Sequence, residues 1–452
     1  MRATKFIYEN VRLDGARQVI NFDYAIVTDS ETFNLSETLK LPTFLPVSDT
    51  VDRVLRALHL SLGISYYKTF IPGTIDHAYS MTDEEADFWN SVFRNGLGEF
   101  LYKNHLNADV LAKFKEQTGS VIPGVDDDTN WAETACLGIG GGKDSIVAGE
   151  LLKKLDIPTT GFVLATGENR GQAQAVADVM QIEMLGIERR LDPQILELNK
   201  LAGAYNGHVP ISLVFALVGC LTAITKGSKY VIVANESSAS IPQVEHEGTL
   251  VNHQWSKSLE FEKQFQDFVH ENVSKQLDYF SIIRPLTSVA VAKIFAKHPD
   301  YFEVFTSDNS LFKITQSDRE HPRWSHNSPK SLSSYILLAP WMSDEDLSRT
   351  FGHEFMDDSN LADLFLKLLG LGDEPILDCV GTPSELRLCL SKLYKQGRFV
   401  NSCLMNIAKT QKLLMENYDG PLESALMISE QQAFPESIED KINSLITSEI
   451  SA

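Results

Sequence analysis

The chain has little cysteine, no long apolar run and a shortage of positive charge. Its 452 residues include five cysteines, Cys136, Cys220, Cys379, Cys389 and Cys403, far apart and without a C-x-x-C pair. That spacing suits reduced thiols in a cytosol, offers no disulfide framework and gives no metal signature. No apolar stretch reaches the roughly 18 residues of a membrane span, so membrane insertion is not expected. Met1-Arg2-Ala3-Thr4-Lys5 leads directly into strand-like sequence, with no apolar signal core or small-residue cleavage site. The expected location is the cytoplasm. Basic residues number 40 against 61 acidic ones, a net charge of −21. A polyanion such as tRNA needs a basic surface that displaces its counterions, so nucleic acid is disfavoured and a small-molecule partner is expected. Internal repeats and low-complexity tracts are also missing. What remains, 43% apolar and 22% charged residues, is ordinary globular composition, in a chain long enough for two or three domains.

Strand-type alternation opens the chain: Phe6-Ile7-Tyr8, then Gln18 to Val27, then Phe33 to Leu41. Asp14-Gly15 between the first two runs predicts a β-hairpin. Residues 50–118 carry helical spacing, and the polar stretch Gly119 to Asn130 reads as a connector. Strand, turn and helix then repeat. Strands are expected at Thr134–Ile139, Gly161–Ala165, Ile182–Ile187 and Tyr230–Ala234, with helices at Ser145–Leu155, 171–181 and Pro210–Lys226. The last of these is apolar on nearly every face and should be buried, with Pro210 in its first turn. Ser258 to Phe280 reads as one long amphipathic helix. From about 340 the chain is mainly helical, interrupted at Gly370 to Pro375. The expected class is α/β: a doubly wound parallel sheet in a central domain (126–340), an N-terminal α+β domain (1–125) and a mainly helical C-terminal region (341–452).

Gly140-Gly141-Gly142-Lys143-Asp144-Ser145 stands between the first central strand and its helix. Adjacent glycines let backbone N–H groups face an anion, and the helix N-terminus adds its positive end. A Walker A loop would need Ser or Thr after Gly142-Lys143, where Asp144 stands. A dinucleotide fingerprint from Gly138 would need Gly or Ala at Lys143. The segment resembles instead the PP-loop pattern S-G-G-x-D-S, with Gly140 in place of the first Ser. That resemblance implies a grip on the β- and γ-phosphates of ATP while an α-phosphoryl is joined to a substrate oxygen and diphosphate leaves. Asp144 would cap its helix or help place Mg2+, and Ser145 would donate to a phosphate. A tight strand-to-helix turn with an Asp cap is the purely structural alternative.

Three further strings are dense in polar and ionisable residues: Asn206-Gly207-His208-Val209-Pro210, Asn235 to Ser240 (N-E-S-S-A-S), and Val251 to Ser258 (V-N-H-Q-W-S-K-S). Open α/β sheets bind ligands at the carboxyl ends of their strands, where these strings should fall. Together with Gly63 to Lys68 (G-I-S-Y-Y-K), Asn95 to Phe100 (N-G-L-G-E-F), the glycine loop and Cys379-Val380-Gly381-Thr382, they resemble the bacterial UDP-N-acetylmuramoyl-L-alanyl-L-glutamate epimerases known as MurL, in the same order through nearly the whole chain. The resemblance implies an ATP-dependent isomerase of peptidoglycan precursor synthesis. Its substrate would be a nucleotide-sugar dipeptide, and its products AMP, diphosphate and a D-Glu terminus. Histidine is the natural base near neutral pH and lysine suits oxyanion stabilisation, so His208, His253 and Lys257 are the candidate catalytic residues, with Glu236 as a magnesium or base-orienting carboxylate. Cys379 is a further candidate, set against the usual role of an isolated cysteine as a small buried hydrophobe. Gly63 to Lys68 should form the seam between the N-terminal and central parts, with Lys68 a candidate substrate contact. Two other readings stay open: a PP-loop synthetase that adenylates a different carboxylate, and a nucleotide-binding protein without chemistry.

One metal site is expected to be missing. Thr306 to Asn309 and Trp324 to Ser331 have the frame of a zinc knuckle, which the resemblance fills with cysteines as W-C-x-x-C-P-K-C. Positions 325, 328 and 331 are serine here. Serine hydroxyls stay protonated at neutral pH and ligate zinc poorly, and His321 with His326 cannot close a tetrahedral site. The loop is expected to rest on hydrogen bonds and on Trp324, with Mg2+ as the only metal required.

Overall fold

The structure, a computed structural model, describes residues 2–15, 18–119, 125, 131–165, 171–308, 323–372 and 374–452. Its strands are β1 (Ala3–Asp14), β2 (Val19–Thr28), β3 (Thr32–Lys40), β4 (Thr74–His77), β5 (Ala132–Gly138), β6 (Thr159–Ala165), β7 (Met184–Arg190), β8 (Ser228–Val233), β9 (Val244–His246), β10 (Thr249–Val251) and β11 (Asp278–Ser281). Helices α1 (Asp49–Tyr67), α2 (Asp83–Gly96) and α3 (Gly98–Lys103) precede β5, and α4 (Lys143–Lys154) follows it. They are succeeded by α5 (Gly171–Met180), α6 (Gln194–Leu198), α7 (Ile211–Lys226), α8 (Leu259–Asn272) and α9 (Ser288–Phe295). The C-terminal helices are α10 (Pro329–Leu338), α11 (Asp344–Phe351), α12 (Ala362–Leu368), α13 (Pro383–Lys395), α14 (Cys403–Thr410), α15 (Asp419–Ala425) and α16 (Glu439–Ser451).

A nine-stranded sheet runs in the order β11-β8-β5-β6-β7-β3-β2-β1-β4. The strands from β11 to β7 are all parallel. The antiparallel hairpin of β1 and β2, as expected at Asp14-Gly15, continues through β3, which pairs antiparallel with β7, so the N-terminal strands extend the central sheet. The class is therefore α/β, with helices on both faces and a helical C-terminal region. The period-2 rule sorts the central strands into two cores. Ala135 and Leu137, Tyr230 and Ile232, and Phe280 face α4, α5, α9 and the C-terminal helices. Cys136, Val231 and Tyr279 face α7, α8 and the core of the N-terminal part.

α7 is buried along nearly its whole length, as its all-round apolar sequence requires, and Gly227 closes it in the left-handed conformation. Pro210 precedes the helix at its N-cap instead of sitting in the first turn. The Gly63 string is a seam. A Cβ at Gly63 would lie 2.4 Å from the Tyr8 ring, so glycine is what lets α1 settle on β1 and β2. Ser65 accepts from Arg189, Tyr66 Oη accepts from the Asp192 N–H, and Lys68 donates to Asn206 at 3.0 Å.

One expected element is wrong. The helix expected over Ser258–Phe280 stops at Asn272, and Asp278–Ser281 is the edge strand β11. Val273 and Ser274 both donate to the Val269 carbonyl, which ends the helix. The apolar stripe misled because the turn that follows packs Val273 and Leu277 into the same core. The strands β4, β9 and β10, three or four residues each, are too short to show a period. Apart from Gly119 and Val125, the expected connector lies outside the described residues, as do Asn309 and His321.

Candidate functional site

In the sheet order the first strand of the central unit, β5, lies between β6 and β8, and the crevice at their carboxyl ends is where open α/β sheets hold ligands. A cavity of about 240 Å3 opens there. One part is apolar, with Ile139, Phe162, Leu164, Phe215 and Val233. The other is formed by Gly140, Gly142, Asp144, Ser145, Lys257 and Lys330. The glycine loop makes the polar floor. Gly141 has φ +87°, and the Thr306 N–H donates to its carbonyl at 3.0 Å. A Cβ on Gly140 would meet nothing, whereas one on Gly142 would lie 3.1 Å from Ser307 Oγ. Gly142 is the N-cap of α4 and receives no side-chain cap, so the capping role weighed for Asp144 is not what the structure shows. Asp144 instead pairs with Lys143 at 2.6 Å, and Ser145 Oγ donates to the Gly142 carbonyl at 3.0 Å.

Carboxylates gather around this floor. Glu236, expected as a base orienter or magnesium ligand, caps the short turn Ser237–Ser240 and accepts from the Ser238 N–H at 2.6 Å. Burial and then the charge of Glu385 raise it to about 7, against the hydrogen bonds of Ser238, with Asp144 adding to the rise. Glu385 is held by its capping box with Thr382 and by the Ser288 N–H at 2.8 Å. The buried Lys143 ammonium sits in the field of Asp144, Glu236 and Glu385, which outweighs the burial that disfavours its charge and raises its pKa.

A second ionisable cluster adjoins the cavity through Lys257. α2 ends and α3 begins across Asn95 to Glu99, where Gly96 and Gly98 keep the backbone close. Cβ atoms there would lie 2.8 Å from Pro210 and 3.2 Å from Val251. This close packing sets Glu99 between two histidines. Its Oε2 is 2.8 Å from His253 Nδ1 and 3.5 Å from His208 Nδ1, and the imidazole centroids are 5.3 Å apart. The environments push the two rings in opposite directions. Burial brings His208 down to about 4. For His253 burial also opposes charge, but its interactions with Cys379 and Glu99 prevail and raise it to about 9. Lys257 Nζ donates to Cys379 Sγ at 3.4 Å, and Lys330 lies 3.6 Å from Asp378. Burial would raise the Cys379 thiol, yet Lys257, then Lys330 and His253, bring it down to about 6.

The sequence candidates therefore divide. His208, His253 and Lys257 come together, with Cys379 among them, while Glu236 sits by the phosphate loop. The carboxylate beside the histidines is Glu99, whose string drew notice while the residue itself did not. Arg284 was also missed. Fully buried, it pairs with Glu262 at 2.5 Å and donates to the carbonyls of Glu236 at 3.1 Å and Lys257 at 2.7 Å, tying the two regions together. A lone arginine in Ile282 to Leu286 gave no signal. Among the described residues, Glu99, His208 and His253 bring ligand-type atoms within 4.8 Å of one another, as do His253, Asp378 and Cys379. Both sets are rich in nitrogen or sulfur and do not suit Mg2+, which takes oxygen donors.

Around the expected knuckle frame, Asp308 is 1% exposed and accepts from the Ser325 N–H at 2.8 Å and from Ser328 and Ser331 Oγ, each at 3.2 Å. Trp324 packs against Phe305 and Phe351. Ser325, Ser328 and Ser331 thus share one buried carboxylate.

Comparison with known proteins covers almost the whole chain. Residues 1–282 match the MurL N-terminal domain and residues 304–418 the MurL C-terminal domain. A Salinispora tropica protein named UDP-N-acetyl-alpha-D-muramoyl-L-alanyl-L-glutamate epimerase is 32% identical over 88% of this chain and 86% of its own length. A Xanthomonas oryzae pv. oryzae protein of the same name is 33% identical over 87% and 86%, and one from a Micromonospora species is 30% identical over 88% of each.

Proposed function

Since the chain belongs to the MurL family, we propose that it inverts the terminal L-glutamate of UDP-MurNAc-L-Ala-L-Glu to D-glutamate, consuming ATP and releasing AMP and diphosphate. The observation that carries this reading is that Lys257 lines the cavity of the phosphate-type loop and donates to Cys379 in the acid/base cluster that adjoins it. The chemistry needs both. A glutamate α-proton resists removal because the neighbouring carboxylate is already negative. Adenylation of that carboxylate cancels the charge and leaves an ester-like carbonyl that can take up enolate density, so activation must precede proton transfer.

In this reading the apolar wall of Ile139, Phe162 and Leu164 takes the adenine, and the Gly140–Ser145 segment takes the phosphates through backbone N–H groups and the α4 N-terminus. Asp144 and Glu236 would hold Mg2+, which supplies charge neutralisation along the phosphates. Lys257, charged and on the cavity wall, faces the carbonyl oxygen as negative charge develops there. His208 enters neutral and able to accept a proton, while His253 enters charged and balances the anions around it, so the two rings of one site carry opposite protonation states. No helix among the described residues is long and apolar enough to cross a membrane. ATP and a nucleotide-sugar substrate place the reaction in the cytoplasm.

The test is incubation with ATP, Mg2+ and UDP-MurNAc-L-Ala-L-Glu, followed by chiral analysis of the released glutamate and of deuterium taken up from D2O. The expected result is D-glutamate carrying solvent deuterium, formed only with ATP. Amide formation without inversion would establish a synthetase, inversion without ATP would remove the adenylate, and no ATP turnover would leave a binding protein.

A further inference from the structure

Three of the five cysteines do what isolated cysteines usually do. Cys136, Cys220 and Cys389 are enclosed, and burial pushes their thiols up, Cys136 to about 11. Cys403 is the first residue of α14, away from the crevice. Cys379 differs in every respect that bears on chemistry. Lys257 donates to its sulfur at 3.4 Å, the Gln254 side-chain amide closes over it, and a His253 ring nitrogen, an Asp378 oxygen and Sγ lie within 4.8 Å of one another. Lys257 and Lys330 both line the cavity that holds the glycine loop. Burying two ammonium groups is costly, and a thiol that only fills space needs neither.

We propose that Cys379 is the group that removes the proton from the α-carbon of the activated substrate. This rests on the epimerase reading above and assigns within it a base that His208 alone would otherwise supply. The resting site holds a thiolate stabilised by Lys257, Lys330 and the His253 imidazolium. Asp378, on its own segment, is engaged by Lys330, and Glu99 stands behind His253 with His208 on its far side. In the step the Cα–H bond breaks and an S–H bond forms. The electron pair moves into the activated carbonyl, towards Lys257, and a proton from a solvent-exchanging donor on the opposite face completes the inversion. In the reverse direction the thiol returns its proton to the carbon. The Gln254 amide suits either state, because its oxygen accepts from a thiol and its NH2, after a flip, donates to a thiolate. His253 and Glu99 are positioning residues, holding the positive charge against the sulfur.

Two measurements on the full chain test this. In the first, the ligand-free protein is alkylated with iodoacetamide across pH and the Cys379 peptide is followed by mass spectrometry. Alkylation with a midpoint near 6, slowed by UDP-MurNAc-L-Ala-L-Glu, is expected, since the thiolate is the reacting form. A midpoint near 8.5, that of an ordinary thiol, would overturn the assignment. In the second, Cys379→Ser and Cys379→Ala are compared with the parent in two assays: substrate-dependent exchange of labelled diphosphate into ATP, and deuterium entry at the glutamate α-carbon. Both variants should keep the diphosphate exchange and lose deuterium entry and inversion by about 10³-fold, the scale of a missing general base. Parallel loss of both activities would make Cys379 structural, and a serine variant that inverts within tenfold of the parent would remove it from the step. An acyl-thioester on Cys379 in acid-quenched parent protein would make it a nucleophile and overturn the base assignment. If the parent itself shows no substrate-dependent diphosphate exchange, the epimerase reading fails and this proposal falls with it. The alkylation midpoint reports the thiolate in either case.

Discussion

The two parts of the crevice are built on opposite principles. The phosphate floor is one contiguous stretch, Gly140 to Ser145, whose shape follows from backbone geometry: a strand end, a left-handed Gly141 and a helix start. The acid/base cluster is contiguous nowhere. Glu99 comes from α3, His208 from the segment before α7, His253 and Lys257 from the segment before α8, and Cys379 from the segment before α13. Their electrostatics contrast as well. In the floor, burial and then the neighbouring carboxylates Glu385 and Asp144 lift Glu236 to about 7, whereas the cluster sets Lys257 against Cys379 and His253 against Glu99. A site of the first kind can be read locally and broken by one added carbon. A site of the second kind can be detuned residue by residue.

The largest effect should come from the floor. Gly142→Val sets a branched side chain where a Cβ already lies 3.1 Å from Ser307 Oγ, and its methyls fill the cradle. Substrate-dependent diphosphate exchange should fall by 10³-fold or more, the scale of losing preorganised donors, while Cys379 alkylation keeps its midpoint. Asp144→Ala should have the same effect through loss of the cation. A folded variant of either kind with parental ATP turnover would dissolve the contrast, because the floor would not then be the phosphate site.

Lys257→Met comes next and should separate the two regions. It removes the largest influence lowering the Cys379 pKa, so the alkylation midpoint should rise and deuterium entry should slow by about 10²-fold. The parental pH profile follows from the same groups. Deuterium entry per adenylate formed should rise through about 6 as the thiolate forms and fall through about 9 as His253 loses its proton, giving a bell. Diphosphate exchange depends on neither of these groups and should follow a different profile. Identical profiles for the two assays would mean that one ionisation governs both regions.

Glu99→Gln should act more gently, slowing deuterium entry about tenfold and leaving diphosphate exchange unchanged. Its carboxylate is one of the influences that hold His253 up, so the alkaline limb of the bell should move below 9. A smaller rate with an unmoved limb would assign Glu99 to packing alone.

These differences mark how far the sequence could be read. β5, α4 and the glycine loop were legible because strand, turn and helix signals are local and consecutive, and α7 because a helix apolar on every side has only one environment open to it. His208, His253 and Lys257 were legible as residue types inside crowded strings. Their partners were not. Glu99 reads as any helix-start glutamate until Gly96 and Gly98 are seen to bring it against Pro210 and Val251. Glu385 reads as the capping-box acid that it also is. Arg284 and Glu262 form a pair only across a tertiary contact. The false extension of α8 has the same origin, since a turn packed into the core keeps the apolar spacing of the helix before it.

The smallest expected effect lies away from the crevice, in the expected knuckle frame, and it tests whether this loop keeps its shape without a metal. Asp308 gathers the Ser325 N–H and the hydroxyls of Ser328 and Ser331 at the start of α10, where a negative charge is also favoured by the helix N-terminus. A zinc ion would organise such a loop with thiolates around a central positive charge. Among the described residues the centre is a carboxylate and the groups that meet it are hydrogen-bond donors, with no thiolate among them. Trp324, packed between Phe305 and Phe351, supplies the apolar anchor. Elemental analysis should find no stoichiometric zinc, and a chelator should leave the melting temperature unchanged. Asp308→Ala should strand the buried Ser331 hydroxyl and two half-buried donors and cost about 1–3 kcal/mol. Ser328→Ala should cost at most about 1 kcal/mol, since it removes a single 3.2 Å bond and the carboxylate keeps its other donors. Because this loop also supplies Thr306 to the Gly141 carbonyl, Asp308→Ala should weaken diphosphate exchange more than deuterium exchange measured per adenylate formed. A chelator-induced drop in melting temperature would place a metal in the frame and overturn the metal-free account.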